Sequence, residues 1–427
     1  MKPDSSPLPG RRWLIGVLLG AGVLVNYFDR INLSVAAPQL QAEFGLGPVE
    51  IGVLFSAFFW TYAVLQIPAG IVLDRLGVMK VGRWGSFLWF AASAMTACAG
   101  GFGGILVARM MLGAAESPGF PANAKAVGYW FPRRERSLAT ALFDAAAKAS
   151  SVLGVPLIAL VVVRAGWRWG FVATAVMSLA YFAAFARLYR DPQADPKLSD
   201  AERNYIAAGG ANVEGTSKVA TWAMLGHLLR QRKVWGLSLG FAAYGYAFYL
   251  FLTWLPAYLV QTAHMGILRS ASYAAIPWMC ATLADLMVGG WLIDHLVSRG
   301  HDETRVRKTV LLSGMGLGVA VIGAVFTTNP IIAIVWISIA LSGLAAAAPV
   351  GWSLPALIAP RGAAGTVGGI MNFANNLMGA VAPIVTGVIV GLTHSFAPAF
   401  AVAGVVLIGG MASFIFLLGR IEAVPEP

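Results

Sequence analysis

The chain has 427 residues, 58% of them hydrophobic and 11% charged, with a formal net charge of +11. An average soluble protein carries roughly 25% charged residues, so this composition cannot supply the polar surface that a soluble chain of this length needs. The basic excess sits mainly in alternate loops, which argues against a nucleic-acid surface and is the pattern that orients membrane proteins.

In chain order, a polar N-terminus leads into a first apolar run near residues 13–37. That run contains Asp29 and Arg30 and is too long and too charged for a cleavable signal peptide. Spans 2 to 6 are predicted near 50–71, 81–99, 103–125, 138–163 and 168–188. Residues 189–233 then form one long polar stretch with turns at Asp191-Pro192 and Asp195-Pro196. It is expected to be a cytoplasmic linker carrying one or two surface helices. Spans 7 to 12 follow near 235–260, 270–293, 308–327, 330–352, 364–390 and 398–419. Runs of about 20 apolar residues cross ~30 Å of hydrocarbon at 1.5 Å per residue. The expected fold is an all-α membrane protein of twelve transmembrane helices, in two six-helix bundles at 1–188 and 234–427. Cys98 and Cys280 lie inside apolar runs in different halves, so no disulfide or metal framework is expected.

Arg75, Lys80, Arg83, Arg133, Arg134 and Arg136 in the first half, with Arg299, Arg305, Arg307, Lys308 and Arg361 in the second, fall in loops on one side. The opposite loops hold Arg164, Arg168 and Arg269, which places both termini in the cytoplasm. A motif also repeats between the halves. Gly70-Ile71-Val72-Leu73-Asp74-Arg75-Leu76-Gly77 follows span 2, and Gly290-Trp291-Leu292-Ile293-Asp294-His295 follows span 8. The shared offset suggests parallel repeats, an arrangement found in transporters. Glycines permit close helix approach, and an acid at a helix end can hold its neighbour by charge-assisted hydrogen bonds. Gly70, Asp74, Arg75 and Asp294 are therefore candidate gating residues.

Ionisable side chains at membrane depth cost roughly 2.5–3.5 kcal/mol each on insertion scales, so they pair or face a watery cavity. Here they are Asp29 and Arg30 on span 1, Arg109 and Glu116 on span 4, Asp144 and Lys148 on span 5, and Asp285 on span 8. Arg30 is the candidate substrate contact, because a guanidinium stays charged and its fork matches a carboxylate. Neighbours on a helix point about 100° apart, so Asp29 and Arg30 need not pair with each other. Glu116 is the candidate proton carrier, since burial and a nearby cation pull a carboxyl pKa in opposite directions. Arg109 and Glu116 are seven residues apart, about 10 Å along the axis, so one of them can instead pair across to span 1. Asp144 and Lys148 have the i, i+4 spacing of a salt bridge. Lys148 has a second reading, as a further positive contact of the kind a dicarboxylate requires. Asp285 has no evident partner.

Several segments carry a family likeness. Residues Gly70 to Lys80 resemble the loop signature of the major facilitator superfamily. Asn26-Tyr27-Phe28-Asp29-Arg30, Trp130-Phe131-Pro132-Arg133-Arg134-Glu135-Arg136, Trp254-Leu255-Pro256 and Asn372-Phe373-Ala374-Asn375-Asn376 resemble its anion:cation symporter family. That family includes bacterial galactonate, glucarate and hexuronate importers and is related to sialin and the vesicular glutamate transporters. The resemblance implies the major facilitator fold and places the chain in the bacterial inner membrane. It implies import of a small organic anion, foremost a sugar acid, driven by the proton gradient without a cofactor, by a chain that works as a monomer.

Residue by residue, the likeness makes Arg30 the carboxylate contact and Asp29 and Glu116 the protonation sites, with Arg109 in their network. Tyr62, Trp352 and Asn372 match substrate-contacting positions, and Asn376 completes the polar set. Amides and phenols suit the hydroxyls of a sugar acid, with Trp against its carbon chain. The galactonate importers carry a polar amide near the position of Ala147, so the stretch Phe143 to Lys148 departs from their pattern. Aromatic, di- or tricarboxylic acids and anion exchange fit the same residues. A non-transporting acid sensor would need a signalling domain, and no zinc-type His-Glu-x-x-His set, phosphate-binding loop or buried Ser/His/Asp grouping suggests an enzyme.

Overall fold

The structure, a computed structural model, describes residues 10–132, 135–211, 222–261, 266–327, 329–360 and 363–425. All regular elements among them are helical. The first half holds α1 (Arg11–Phe44), α2 (Pro48–Ala97), α3 (Phe102–Glu116), α4 (Gly119–Trp130), α5 (Arg136–Ala165) and α6 (Trp167–Leu188). Predicted spans 2 and 3 are the two arms of α2, which bends at Gly77, where φ is 76° and ψ is 166°. Positive φ is costly for a residue with a Cβ, which accounts for glycine at this position of the loop motif. Predicted span 4 is broken between α3 and α4. Pro118 cannot donate a backbone hydrogen bond, and the Ser117 hydroxyl caps the carbonyl of Ala114 at 2.9 Å.

The linker contributes α7 (Asp200–Ala208) and α8 (Trp222–Leu229). The second half holds α9 (Arg232–Gln261), α10 (Ile267–Ala284), α11 (Ile293–Ser298), α12 (Glu303–Gly318), α13 (Pro330–Ile358), α14 (Ala364–Thr393) and α15 (Ala397–Ser413). π-helical turns at Asp285–Leu292 join α10 to α11, and 3₁₀ turns at Val319–Phe326 extend α12. Ten stretches among the described residues are long and apolar enough to cross a membrane. The arm of α2 beyond Gly77 and the α3–α4 pair complete twelve passes. Outward-facing Val17, Val64, Leu153, Val335 and Leu392 are exposed, as lipid-facing positions must be.

At the linker end, buried charges tie the chain start to the linker. Arg12 bonds Glu135 at 2.7 Å and Glu202 at 2.9 Å, and Arg11 reaches Asp195 at 2.8 Å. Tyr205 of α7 donates to Glu135 at 2.8 Å. The Arg12 hydrogen bond, helped by Tyr205, holds the Glu135 carboxyl below the usual carboxylate range. The C-terminal segment docks on its own, second half, with Val424 N–H donating to the Ile358 carbonyl at 2.8 Å and Lys233 pairing with Glu422 at 2.9 Å.

The halves meet chiefly along α1 with α9, α2 with α14, and α5 with α10. At the end away from the linker α2 and α14 pack backbone to backbone, and side chains join α1 to α9. The Ser56 hydroxyl donates to Ala380 O at 2.8 Å, and Gln261 donates to Gln41 at 3.1 Å. A Cβ added at Gly52 would lie 2.6 Å from Pro383 O, and one at Gly387 would lie 2.5 Å from Pro48 O. Phe55 packs edge-on against Trp254, 5.3 Å between ring centres. These contacts seal the far end around a mid-depth charge cluster.

Candidate functional site

The α1 helix delivers Asp29 and Arg30 to different partners, as their 100° separation requires. Arg30 Nε donates to Glu116 Oε2 of α3 at 2.8 Å, with both side chains almost wholly buried. Its guanidinium lies 4.7 Å from the Tyr27 ring centre, 4.6 Å from Phe58 and 5.0 Å from Tyr62. Three aromatic faces stabilise a desolvated guanidinium and leave its edge available. Arg30 Nη2 and Glu116 Oε1 are buried without a hydrogen-bond partner among the described residues.

Asp29 turns the other way and accepts hydrogen bonds from Ser93 of α2 at 2.6 Å and Ser178 of α6 at 2.9 Å. Arg109 donates to the Asp29 backbone carbonyl at 3.2 Å and stands 5.4 Å from the Phe58 ring centre. Glu116 thus pairs across to α1 rather than along its own helix to Arg109. Two cations and two acids from α1 and α3 form one compact cluster in the first half.

Lys148 makes the i, i+4 bridge to Asp144 at 2.8 Å. It also reaches Asp285 of the second half at 3.1 Å, the partner for Asp285 that sequence spacing could not supply.

Neutral groups continue the site across the interface. Tyr249 of α9 donates to Asn376 at 3.1 Å, Asn376 donates to the Asn372 side chain at 3.0 Å, and Asn372 approaches Gln66 of α2 at 3.5 Å. Tyr62 is buried and stacks on Phe58, 5.1 Å between ring centres. Trp352 meets Phe241 edge-on at 4.9 Å and keeps an exposed side chain. Sequence reasoning missed Ser93, Ser178, Gln66 and Tyr249, because single hydroxyls and amides in spans most often bond locally.

Of the gating candidates, Arg75 is exposed and Gly70 is half-buried. A Cβ at Gly70 would meet nothing within 4 Å among the described residues. The side chains of Asp74 and Asp294 lie outside the described residues. No group of three or more potential metal ligands occurs among the described residues.

Twelve passes in two halves, enclosing charged groups at mid-depth, define a multi-pass membrane transporter rather than an enzyme. The chain belongs to the Major Facilitator Superfamily, whose profile matches residues 19–383. It is 39% identical over 426 residues to the uncharacterized transporter YybO of Bacillus subtilis, covering 99% of this chain and 98% of that one. It is 31% identical to the D-galactonate transporter of Escherichia coli, over 99% of each chain. Identity is 32% to the probable galactarate/D-glucarate transporter GudP of Escherichia coli, over 97% of this chain and 94% of that one. Among solved structures, a D-xylose-proton symporter superposes with a TM-score of 0.73 at 14% identity, covering 96% of this chain and 98% of that chain. That likeness concerns the fold.

Proposed function

We propose that this chain imports a small organic anion, foremost a sugar acid, together with protons, by alternating access of its two halves. The observation that carries the reading is the Arg30–Glu116 pair, with a buried Nη2 and a buried Oε1 both unpartnered. An arginine fork half-used by an internal carboxylate is suited to exchanging that carboxylate for a substrate's. A proton on Glu116 releases the guanidinium, and the incoming anion restores the charge balance. Asp29, held by two hydroxyls and beside Arg109, is the second acid of the coupling network. Tyr62, Trp352, Asn372 and Asn376 contribute neutral contacts. The relatives named for galactonate and for galactarate/glucarate support an acid substrate.

The basic loops support a cytoplasmic linker and cytoplasmic termini, and the bacterial relatives support a bacterial inner-membrane location. On that orientation the end closed by the Gly52 and Gly387 contacts faces outward, as an inward-facing state requires. Rocking the halves about the site would break the Gly52 and Gly387 contacts and open the outer side. The test is purified protein in liposomes holding a pH dye, challenged with a panel of organic acids. Interior acidification with one of them is the expected result; silence across the panel, with reconstitution verified, contradicts symport.

A further inference from the structure

The Arg30–Glu116 arrangement has a counterpart that joins the two halves. The Lys148 ammonium of α5 lies between Asp144 on its own helix and Asp285 on the other half. Asp285 is 5% exposed, and its Oδ1 has no hydrogen-bond partner among the described residues. In both places a buried cation is covered by a buried carboxylate that uses one oxygen and leaves the other orphaned. The acid also stands where the helix changes pitch, at the first residue of the π-helical turns Asp285–Leu292. Such turns occur frequently at functional positions.

Resting on the import reading above, we propose that Lys148 is a second acid-group site and that the transported species is a dianion. One carboxylate takes the place of Glu116 on Arg30; the second acid group takes the place of Asp285 on Lys148. Arg30 stands 4.7 Å from the Tyr27 ring centre, and Tyr27 lies within electrostatic range of Lys148 as well. On α9, Phe248 packs against both Tyr244 and Tyr249, which are within electrostatic range of Lys148 and Arg30 respectively. These phenols suit the hydroxylated carbon chain of a diacid.

Charge balance favours the exchange. In the first cluster two cations face two acids, whereas in the second a single ammonium serves two carboxylates. Among the described residues, the titratable side chains that face Asp285 are Lys148 and Asp144 from α5 and Tyr244 from α9. The packed helix α13 carries no ionisable residue. An acid group that takes Lys148 therefore leaves Asp285 to accept a proton, and the net charge of the cluster is unchanged. The exchange also unties α5 from the second half, which links occupancy of Lys148 to the freedom of the halves to rock.

The test is calorimetric binding to the purified native protein of two probes that differ in one terminal carboxylate, galactonate and galactarate. Galactarate is expected to bind about tenfold more tightly or better, the worth of one charge-assisted contact. Lys148→Gln should bring the two affinities within about threefold, while Lys148→Arg keeps the preference. Asp285→Asn removes the competing carboxylate and should widen the preference by about threefold or more, a readout that survives if the glutamine variant fails to fold. Equal binding of the two acids, or a preference that Lys148→Gln leaves intact, overturns the inference and leaves the import reading standing. Binding of neither acid contradicts the sugar-acid reading itself, and the inference with it.

Discussion

Arg30 is occupied by an acid of its own chain: its Nε donates to Glu116 Oε2 at 2.8 Å, while its Nη2 keeps no partner among the described residues. A guanidinium buried among three rings and one carboxylate is desolvated, and its remaining donor needs an anion. Lysine keeps the charge and loses both the fork and the flat stacking surface. Arg30→Lys is therefore expected to weaken anion binding about 10- to 100-fold, the worth of one to two charge-assisted hydrogen bonds. Arg30→Ala should abolish it. Equilibrium binding of whichever acid acidifies the liposomes checks both.

The far-end seal depends on missing side chains. With 2.6 Å between a Gly52 Cβ and Pro383 O, a leucine at Gly52 cannot fit while the halves are closed there. Overpacking costs about 1–3 kcal/mol, enough to shift the balance between closed and open outer ends about 5- to 150-fold. Gly52→Leu is expected to cut uptake by such a factor while substrate still binds from outside. Normal uptake by this variant would show that transport does not require close packing of α2 on α14 at Gly52.

The amide chain that carries the site from α9 to α2 makes a smaller prediction. Tyr249→Phe removes the donor to Asn376 and leaves the ring packed on Phe59, 4.6 Å between centres. One net hydrogen bond is worth about 0.5–1.5 kcal/mol, so substrate affinity should fall about 2- to 10-fold with expression unchanged. A loss of binding as large as that of Arg30→Ala would make Tyr249 a direct anion contact.

Linker docking carries a pH dependence. The Arg12 hydrogen bond depresses the folded pKa of Glu135. Its stabilisation is therefore present above the unfolded value of about 4.3 and is lost as pH falls through the folded value. Glu135→Gln is expected to lower the thermal midpoint at neutral pH and to converge with the native protein only as the pH falls below about 4.3 and through the lowered folded value. Melting curves across that range decide it; a constant offset would mean that the Arg12 contact does not depend on the carboxylate charge.

The passes and the charged residues were legible in the sequence because hydrocarbon makes both conspicuous: apolar runs have a required length, and each buried charge stands out against them. Which charges would meet was less legible. Glu116 faces Arg30 rather than Arg109 because of the rotation of α3 against α1, which spacing along one helix does not fix. Lys148 and Asp285 lie in different halves, and only the packing of α5 on α10 brings them to 3.1 Å. Ser93 and Ser178 gave no signal, since the same hydroxyls elsewhere bond their own helix, as Ser86 does to Gly82 at 2.7 Å. Predicted spans 2 and 3 are two helices that meet at Gly77, whose non-helical φ of 76° and ψ of 166° turn the chain between them.

The central claim is that Glu116 carries the proton whose arrival frees Arg30. Its most direct test is solute uptake into liposomes under an imposed pH gradient, native protein against Glu116→Gln, with exchange of labelled for unlabelled substrate measured alongside. The account predicts that the variant fails to accumulate substrate along the proton gradient yet still exchanges it across the membrane. Full gradient-driven accumulation by Glu116→Gln would contradict it.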